Sequence, residues 1–376
     1  MEANVKLSNS KQSFFEKVKK ALKNETFLYI LKRILSSCFT AILIIAVVTA
    51  LIRLLPEEQL YDLAQYRKLK NQGGQTMADN YKFSVLSQYG RYTADGDPRS
   101  VLSNIFQYIY WVLPIPKKIP IRWTADYSAV KEYKNVLIYF GQSIEKKKFV
   151  TVLLGEKMGI SFKVTIISVF FTYLIGYPLG IAMSKKPGGL VDKIGNVFIV
   201  LNYAIPALVF YLFMQNILGN PNGVFGGLGL GLLYDENNWK SLVAPIFCMV
   251  FLSIPGVIIW LRRFMIDELS SDYVKFARSK GLSENRIMYT HVLRNAIVPL
   301  IRNVPATFIG AIVGSYFVEV IWNIPGTGGL LITGLTSTDV PVIQGLTVIY
   351  AVLGMMSFLI GDIITVFFDP RIKLKG

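Results

Sequence analysis

Hydrophobic residues in this chain are gathered into long uninterrupted runs, and most polar residues lie in the segments between them. The apolar runs cover residues 34–55, 158–184, 194–218, 241–265, 299–322 and 342–368. An α-helix rises about 1.5 Å per residue, so about 20 residues cross the roughly 30 Å of hydrocarbon in a bilayer. The pattern therefore predicts an all-α integral membrane protein with about six transmembrane helices.

The longest polar segment, 56–157, separates the first predicted helix from the other five. Within it, Val101–Leu113 is moderately apolar, but it is too short and too interrupted to cross a membrane. The segment is rich in aromatic residues: Tyr61, Tyr66, Tyr81, Tyr89, Tyr92, Phe106, Tyr108, Tyr110, Trp111 and Trp123. Because flexible linkers are poor in aromatic residues, we predict a folded loop domain, with a flexible linker as the alternative.

Basic residues are distributed unevenly between the two sides that the predicted helices define. The segments 1–33, 185–193, 262–302 and 369–376 hold eight, three, eight and three Lys and Arg residues. The short segments on the opposite side hold only Lys240. Since cytoplasmic loops carry the excess of basic residues, both termini are predicted to be cytoplasmic and segment 56–157 extracytoplasmic.

A basic N-terminus before an apolar run is also typical of a secretory signal peptide. Here, however, the run has full transmembrane length and ends in Arg53-Leu-Leu-Pro56 without a small-residue cleavage site. We therefore expect residues 34–55 to remain as an uncleaved first transmembrane helix.

The composition agrees with a membrane protein. Hydrophobic residues make up 52% of the 376 residues and charged residues only 17%, whereas soluble domains carry about a quarter charged residues. A net charge of +16 would suggest nucleic-acid binding in a soluble chain. Most of this charge lies in loops beside apolar runs, so no nucleic-acid partner is expected. Cys38 and Cys248 fall inside apolar runs, where we expect packed thiols rather than a disulfide.

The residues needed for metal sites or hydrolysis are nearly absent from the sequence. His291 is the only histidine, which leaves little material for a metal cluster or for Ser-His-Asp catalysis. The Gly-x4-Gly-Lys-Ser/Thr phosphate-binding loop does not occur. The sequence therefore predicts a protein that is not an enzyme, has no metal site, and does not hydrolyse ATP by itself.

The segment 266–298, between the fourth and fifth predicted helices, is too polar to cross a membrane but is patterned as two short helices. Gly281 stands where the first helix must stop, a position that favours a left-handed conformation. We predict a cytoplasmic helix–glycine–helix elbow joined at both ends to membrane helices. The helix signals are the candidate caps Ser270, Ser271 and Ser283, the first-turn acids Asp272 and Glu284, the apolar Tyr273, Val274, Phe276 and Ala277, and the helix-opening Pro299.

Three parts of this elbow carry a family resemblance. They read Asp272-Tyr-Val274, Ala277-Arg-Ser-Lys-Gly-Leu-Ser283 and Leu293-Arg-Asn-Ala-Ile-Val-Pro299. The elbow resembles the coupling helix of binding-protein-dependent ABC importers, in the form typical of oligopeptide and dipeptide permeases. The Glu-Ala-Ala-x3-Gly pattern of the wider family is altered, since Lys275 and Phe276 replace its Glu and first Ala.

Further matches to the B-type permease subunit of that branch are spread over the chain. They are Tyr29–Leu35, Leu51–Pro56, Gly176–Gly180, Phe317–Trp322, Ile324–Gly326, Pro341–Gly345 and Asp369–Arg371. Most of the outer loop, about 57–138, is unmatched and longer than usual for the family. The resemblance implies a type I ABC importer permease with an enlarged extracytoplasmic loop after its first helix.

This resemblance also implies a role and a set of partners. The chain would be the cell-membrane permease subunit of an ATP-driven importer, forming half of the pathway for peptides. The implied partners are a homologous second permease subunit, two cytoplasmic ABC ATPase subunits that bind ATP and Mg²⁺, an extracytoplasmic peptide-binding lipoprotein, and membrane lipids. No cofactor would be bound by this chain directly. We expect the outer loop to fold over the outer mouth and to help seat the binding lipoprotein.

The elbow is implied to dock in a groove on an ATPase subunit, with a solvated basic loop as the alternative. Ala277 would allow close approach and Gly281 would allow the turn. The remaining residues implied to take part are Leu282, Ser283 and the contact residues Arg278, Lys280 and Arg286.

Four charged residues lie in or near the apolar runs. For Glu319 and Asp362, a bare charge in hydrocarbon costs about 2.5–3.5 kcal/mol or more, which suggests either a substrate or proton site or a structural pairing. Lys163 and Arg302 lie near predicted membrane boundaries, where they can extend to water. We favour structural roles for all four. The helix breakers in the runs indicate either close packing or a flexible pathway: Gly176, Pro178, Pro206, Pro255, Pro305, Gly310 and Gly314.

Other functions remain as alternatives. Relatives of this branch move nickel chelates or other small solutes, and the binding protein usually sets the choice. A secondary transporter would contain repeated halves and midplane coupling charges, and no convincing repeat is present. A membrane-embedded enzyme would need a nucleophile motif, and this sequence contains none.

Overall fold

The computed structural model describes residues 25–93 and 97–368. Most of the predicted basic N-terminus 1–33, and the whole of the predicted tail 369–376 with its Asp369-Pro-Arg371 motif, lie outside the described residues. The helices are α1 (Glu25–Arg53), α2 (Leu63–Gln88), α3 (Val101–Val112), α4 (Val150–Lys185), α5 (Leu190–Ala204), α6 (Ala207–Gly219), α7 (Val243–Leu269), α8 (Asp272–Ser279), α9 (Glu284–Arg286), α10 (Leu293–Ala296), α11 (Val298–Ile301), α12 (Val304–Val313), α13 (Tyr316–Ile321), α14 (Thr327–Thr336) and α15 (Val340–Phe368).

Five helical segments in the described part of the chain are long and apolar enough to cross a membrane. They are Ile30–Arg53, Val150–Lys185, Trp239–Leu269, Val298–Ile321 and Val340–Ile364. The pair α5 and α6 makes a sixth when it is counted as one bent span. The prediction of about six transmembrane helices is confirmed, and the chain is a multi-pass membrane protein.

Two of the predicted runs are broken helices rather than straight ones. Residues 194–218 fall in α5 and α6, which meet at an angle of 96°. The bend lies at Ile205-Pro206, where Ile205 is extended because a residue before proline is disfavoured in the helical region. Residues 299–322 are divided among α11, α12 and α13, and Gly314 separates the last two with φ +79°.

The other predicted breakers act differently. Pro178 lies within α4 and Pro255 within α7, and neither ends its helix. Gly176 brings α4 close to α7, since a methyl group at this position would lie 2.9 Å from a Val257 side-chain carbon. Gly180 also brings the two helices close, since a methyl group at this position would lie 3.2 Å from a Leu261 side-chain carbon. These two glycines therefore serve close helix packing.

The segment between α1 and α4, which we call the outer domain after its predicted location, is folded around aromatic clusters. Tyr81 packs edge-on against Tyr61 and Tyr127, with ring centroids 6.5 and 5.2 Å apart. Trp111 packs against Tyr139 at 5.2 Å in a second cluster, which also includes Ile45 of α1. The aromatic residues are thus the core of a domain that is attached to the membrane helices.

The outer domain also contains a β-hairpin, which the sequence did not predict. Strand β1 (Lys117–Trp123) pairs antiparallel with β2 (Val130–Val136), with Lys117 opposite Val136. The register shifts between Pro120 and Trp123. The hairpin is the one sheet in the described part of an otherwise helical chain.

Candidate functional site

The two short helices of the elbow begin where the sequence predicts, but the serine residues at their starts act differently. Ser271 is the N-cap of α8 and Ser283 that of α9, yet neither hydroxyl makes a capping hydrogen bond. Ser270 instead donates its hydroxyl to the Asp267 carbonyl oxygen at 2.7 Å, at the end of α7. The prediction of side-chain capping was therefore wrong, although the helix starts were right.

Gly281 makes the turn between the two short helices in the left-handed conformation, with φ +73°. Its N–H donates to the Arg278 carbonyl oxygen at 2.9 Å. The Leu282 N–H donates to the Ala277 carbonyl oxygen at 3.3 Å. No neighbouring atom lies within 4 Å of the position that a Cβ would take. The backbone conformation, rather than lack of space, is what requires glycine here.

One face of the elbow is packed against the membrane helices. Val274, Ala277 and Met288 are buried in a cluster that includes Leu261 and Met265 of α7. The small side chain of Ala277 therefore faces the interior of the elbow. The side chain is 6% exposed and surrounded by this cluster, and its predicted role in the close approach of a partner stays a prediction.

The opposite face of the elbow is exposed. We call this face, formed by Phe276, Arg278, Lys280, Ser283 and Arg286, the outward face. Phe276 is 61% exposed and lies under the Lys280 ammonium, which is 4.4 Å from the ring centroid. Arg278 donates Nε to the Glu284 carboxylate at 2.8 Å. This hydrogen bond lowers the pKa of Glu284. The elbow thus presents an aromatic ring among basic groups.

Phe276 was predicted only as one of the apolar residues of the first short helix, together with the buried Val274 and Ala277, and not as an exposed contact residue. Phe276 stands where the family pattern has an alanine, so the large apolar side chain at this position was visible in the sequence. Tyr289, also exposed, was missed as well, and its ring lies 5.2 Å from the Lys185 ammonium. Leu282, by contrast, is only partly exposed and packs against the buried cluster.

A second candidate surface is an apolar groove between α4 and α12, within the spans. It has a volume of about 570 Å³ and is lined by ten residues that include Phe170, Tyr177 and Phe308. Its main polar contact joins the Tyr173 and Thr307 hydroxyl oxygens, 3.3 Å apart. Pro178, predicted as a helix breaker, lines its edge.

Glu319 is buried, with 2% of its surface exposed, and it binds the N-terminal end of α14. Its carboxylate accepts the Ser161 hydroxyl at 2.8 Å and the Gly329 N–H at 3.1 Å, in the first turn of α14. A side chain at Gly314 or Gly326 would collide with this carboxylate. An acid at a helix N-terminus satisfies backbone donors and the helix dipole, so these contacts favour the structural role.

Asp362 is paired on both oxygens. Arg33 of α1 reaches Oδ2 at 2.6 Å, and Arg302, between α11 and α12, reaches Oδ1 at 2.7 Å. The Arg302 side chain is half exposed, and its ion pair supports the structural role that was favoured for it. Lys163 is exposed.

The described residues contain no group of three or more His, Cys, Asp and Glu side chains that could hold a metal ion. Cys38 is exposed and Cys248 is buried, and both are free thiols.

Comparison with known proteins places these features in one family. Residues 176–374, more than half of the chain, match the family model described as binding-protein-dependent transport system inner membrane component. The oligopeptide transport system permease protein AmiC of Streptococcus pneumoniae is 34% identical over 212 residues, 56% of this chain. The chain spans only 41% of the length of AmiC.

Other relatives match a larger share of their own length. The dipeptide transport system permease protein DppB of Lactococcus lactis is 30% identical over 62% of this chain and 76% of its own. In a comparison of structures, inward-facing MetNI methionine ABC transporter matches with TM-score 0.46 and 18% identity, over 58% of this chain and 97% of that one. By the family match, the chain belongs to the binding-protein-dependent transport system inner membrane components.

Proposed function

We propose that this chain is the permease subunit of an ATP-driven importer and forms half of the pathway for peptides. The observation that carries the proposal is the elbow, which is packed onto two membrane helices on one side and exposed on the other. The similarity to permeases named for oligopeptide and dipeptide transport supports the peptide class. Both termini would be cytoplasmic, as the basic residues indicate.

The elbow is suited to transmit movement from a cytoplasmic partner. Its inner residues Val274 and Met288 share one buried cluster with Leu261 of α7 and Ile181 of α4. Because close-packed side chains transmit displacement, a push on the elbow would move these two helices together. The outward face would bind an ATPase subunit, with ATP and Mg²⁺ held by that subunit.

The contacts on the outward face suggest which residues meet the partner. Arg278 is engaged by Glu284 within the elbow, so it would stabilise the turn as well as the interface. Phe276, Lys280 and Arg286 are exposed and available. An exposed aromatic side chain with neighbouring cations is typical of residues that dominate protein interfaces.

The apolar groove between α4 and α12 would form this subunit's half of the pathway, facing a homologous second permease subunit. Its aromatic side chains offer surfaces for varied peptide side chains, while Tyr173 and Thr307 offer hydroxyl groups to a peptide backbone. Such a groove suits a pathway that accepts many sequences, because few of its contacts are directional.

The outer domain would cover the outer mouth and help to seat a binding lipoprotein. It is fixed to the membrane helices by Asp339, just before α15. The Asp339 carboxylate accepts the Ser143 hydroxyl and the Ile144 N–H, the latter at 3.1 Å. A partner bound to the outer domain would thus act directly on the ends of α4 and α15.

Reconstitution tests the proposal. The chain is co-expressed with the second permease, the ATPase subunits and the binding lipoprotein of its own organism, purified as a complex and placed in liposomes. We expect uptake of labelled peptides that requires ATP and the binding protein, and ATPase activity that rises with loaded binding protein. Uptake driven by an ion gradient without ATP would contradict the proposal. Competition by a nickel chelate but not by peptides would contradict the peptide class alone.

A further inference from the structure

Helix α3 of the outer domain has two unlike faces. Its buried side carries Tyr108 and Trp111, which pack into the core cluster. Its other side exposes a stripe of apolar residues, of which Leu102 and Phe106 are each 69% exposed. The stripe is completed by Tyr110 and Leu113, also exposed, at a spacing of three or four residues. A contiguous apolar stripe on a folded domain indicates that something covers it.

The position of α3 shows what lies beside this stripe. At its start, the Arg99 carbonyl oxygen accepts Nη2 of Arg53, the last residue of α1, at 3.0 Å. Further along, Tyr108 and Trp111 share a core cluster with Ile45 of α1. Ile45 precedes Arg53 by eight residues, which is about 12 Å along a helix. Helix α3 therefore runs antiparallel to α1. It begins beside Arg53, at the end of α1, and reaches the level of Ile45 within the span.

The outer half of α1 is itself exposed on an apolar side. Leu43, Val47 and Leu51 are at least half exposed, although they lie within a transmembrane span. In a bilayer these side chains contact acyl chains. The helix that α3 packs against therefore exposes apolar side chains to lipid at this level of the span.

The polar groups at the end of α3 are satisfied within the protein. The Lys117 ammonium is buried and donates to the carbonyl oxygens of Tyr110, Trp111 and Leu113 at 2.7, 2.7 and 2.6 Å. The Trp111 carbonyl oxygen also accepts the Tyr139 N–H at 2.9 Å. At a water-exposed helix end these carbonyls could bind water, whereas inside a membrane a carbonyl without a partner is strongly unfavourable.

We propose that α3 is a membrane-embedded helix that lies in the outer leaflet beside α1, with its Leu102–Phe106–Tyr110–Leu113 stripe against lipid. Its 12 residues would span about 18 Å, too little to cross the bilayer and enough to enter one leaflet. Aromatic residues such as Phe106 and Tyr110 are favoured at this depth. The helix anchors the outer domain to the bilayer, so that the domain keeps a fixed height above the mouth. This inference rests on the proposed orientation of the chain and not on its substrate.

Site-directed spin labelling tests the inference on the full chain in lipid vesicles. Phe106→Cys is labelled with a nitroxide after Cys38 and Cys248 are replaced by serine and alanine. We expect its relaxation to respond strongly to oxygen and several-fold less to a water-soluble nickel complex. The matched control is Tyr133→Cys, an exposed aromatic on β2, which should respond to the nickel complex instead. Strong nickel accessibility at position 106 would overturn the proposal.

The same label at position 106 shows whether lipid or a protein partner covers the stripe. If lipid covers the stripe, accessibility at position 106 stays the same when the ATPases, second permease and binding lipoprotein are added. Nickel accessibility in the chain alone that disappears on assembly would overturn the proposal in favour of a subunit contact. ATP-dependent uptake by the labelled variant tests the proposed transport function separately, so failure of one is distinguishable from failure of the other.

Discussion

The Arg302 guanidinium and the Asp362 carboxylate lie 2.7 Å apart, at the point where the fifth span is interrupted between α11 and α12. Helix α15 approaches this interruption so closely that a side chain at Gly361 would collide with the Arg302 carbonyl oxygen. Arg33 of α1 binds the other oxygen of Asp362. One buried carboxylate therefore joins three spans at what we propose is the cytoplasmic side.

Replacing Asp362 with alanine should destabilise the chain. The change leaves Arg33 and Arg302 without their shared counter-charge, and hydrogen bonds to charged groups contribute about 1.5–3 kcal/mol when well formed. Because both arginines are roughly half exposed, we expect the lower end of that range. The measurement is the melting temperature in detergent, with Asp267→Ala, an exposed acid on α7, as control. Equal melting temperatures for the two variants would contradict the structural role.

Replacing Glu319 with glutamine should leave transport largely intact, whereas alanine should abolish it together with stability. Glutamine keeps an acceptor for the Gly329 N–H, and its amide can donate to Ser161. Alanine leaves these groups unpaired in a buried site, at a cost of about 1–3 kcal/mol each. Uptake and melting temperature are measured for both variants. Loss of uptake in Glu319→Gln with an unchanged melting temperature would instead favour a proton or substrate role.

The spans could be predicted from the sequence because a bilayer imposes a minimum length of apolar helix. Their interruptions could not be placed so well. Pro206 ends a helix and Pro255 does not, since neighbouring helices can satisfy the carbonyl that a proline frees. Proline alone therefore does not predict a bend.

The candidate site was predicted in part. Gly281 was identified because a left-handed turn has a residue preference that is local in the chain. The inward orientation of Ala277 was not predicted. The side of a short helix that faces inward is decided by its packing against α7, which is distant in sequence. The partners of Asp362 are 329 and 60 residues away in sequence, and a charge pattern does not pair residues over such distances.

Cysteine labelling should establish the orientation of the chain. In a background without Cys38 and Cys248, Val224→Cys, 91% exposed in the segment after α6, should react with an impermeant maleimide in intact cells. Leu190→Cys, also well exposed, should react only after the cells are opened. Labelling of position 190 in intact cells would contradict cytoplasmic termini.

Phe276→Ala should weaken coupling without weakening the fold. The ring is mostly exposed in the isolated chain, so its removal should change the free energy of unfolding by no more than about 0.5 kcal/mol. If the ring fills a pocket on the ATPase, co-purification of the ATPase subunits and stimulated ATPase activity should both fall several-fold. Tyr133→Ala, which removes an exposed ring from the outer hairpin, is the control. Normal coupling in Phe276→Ala would exclude this ring from the interface.

Gly281→Val should uncouple transport from ATP hydrolysis. A β-branched residue in the left-handed region costs about 1–2 kcal/mol, too little to unfold the membrane helices but enough to distort the turn. Gly229→Val is a matched control, because Gly229 also has a positive φ, +66°, and open space around it, but lies in the segment between α6 and α7. We expect normal expression of both variants, and loss of peptide uptake and of stimulated ATPase activity only in Gly281→Val. Ala277→Phe should resemble Gly281→Val for a different reason, since a large side chain in the buried cluster strains the elbow by about 1–3 kcal/mol. Full coupling in Gly281→Val would show that the geometry of this turn does not matter for transport, even if the chain remains an importer subunit.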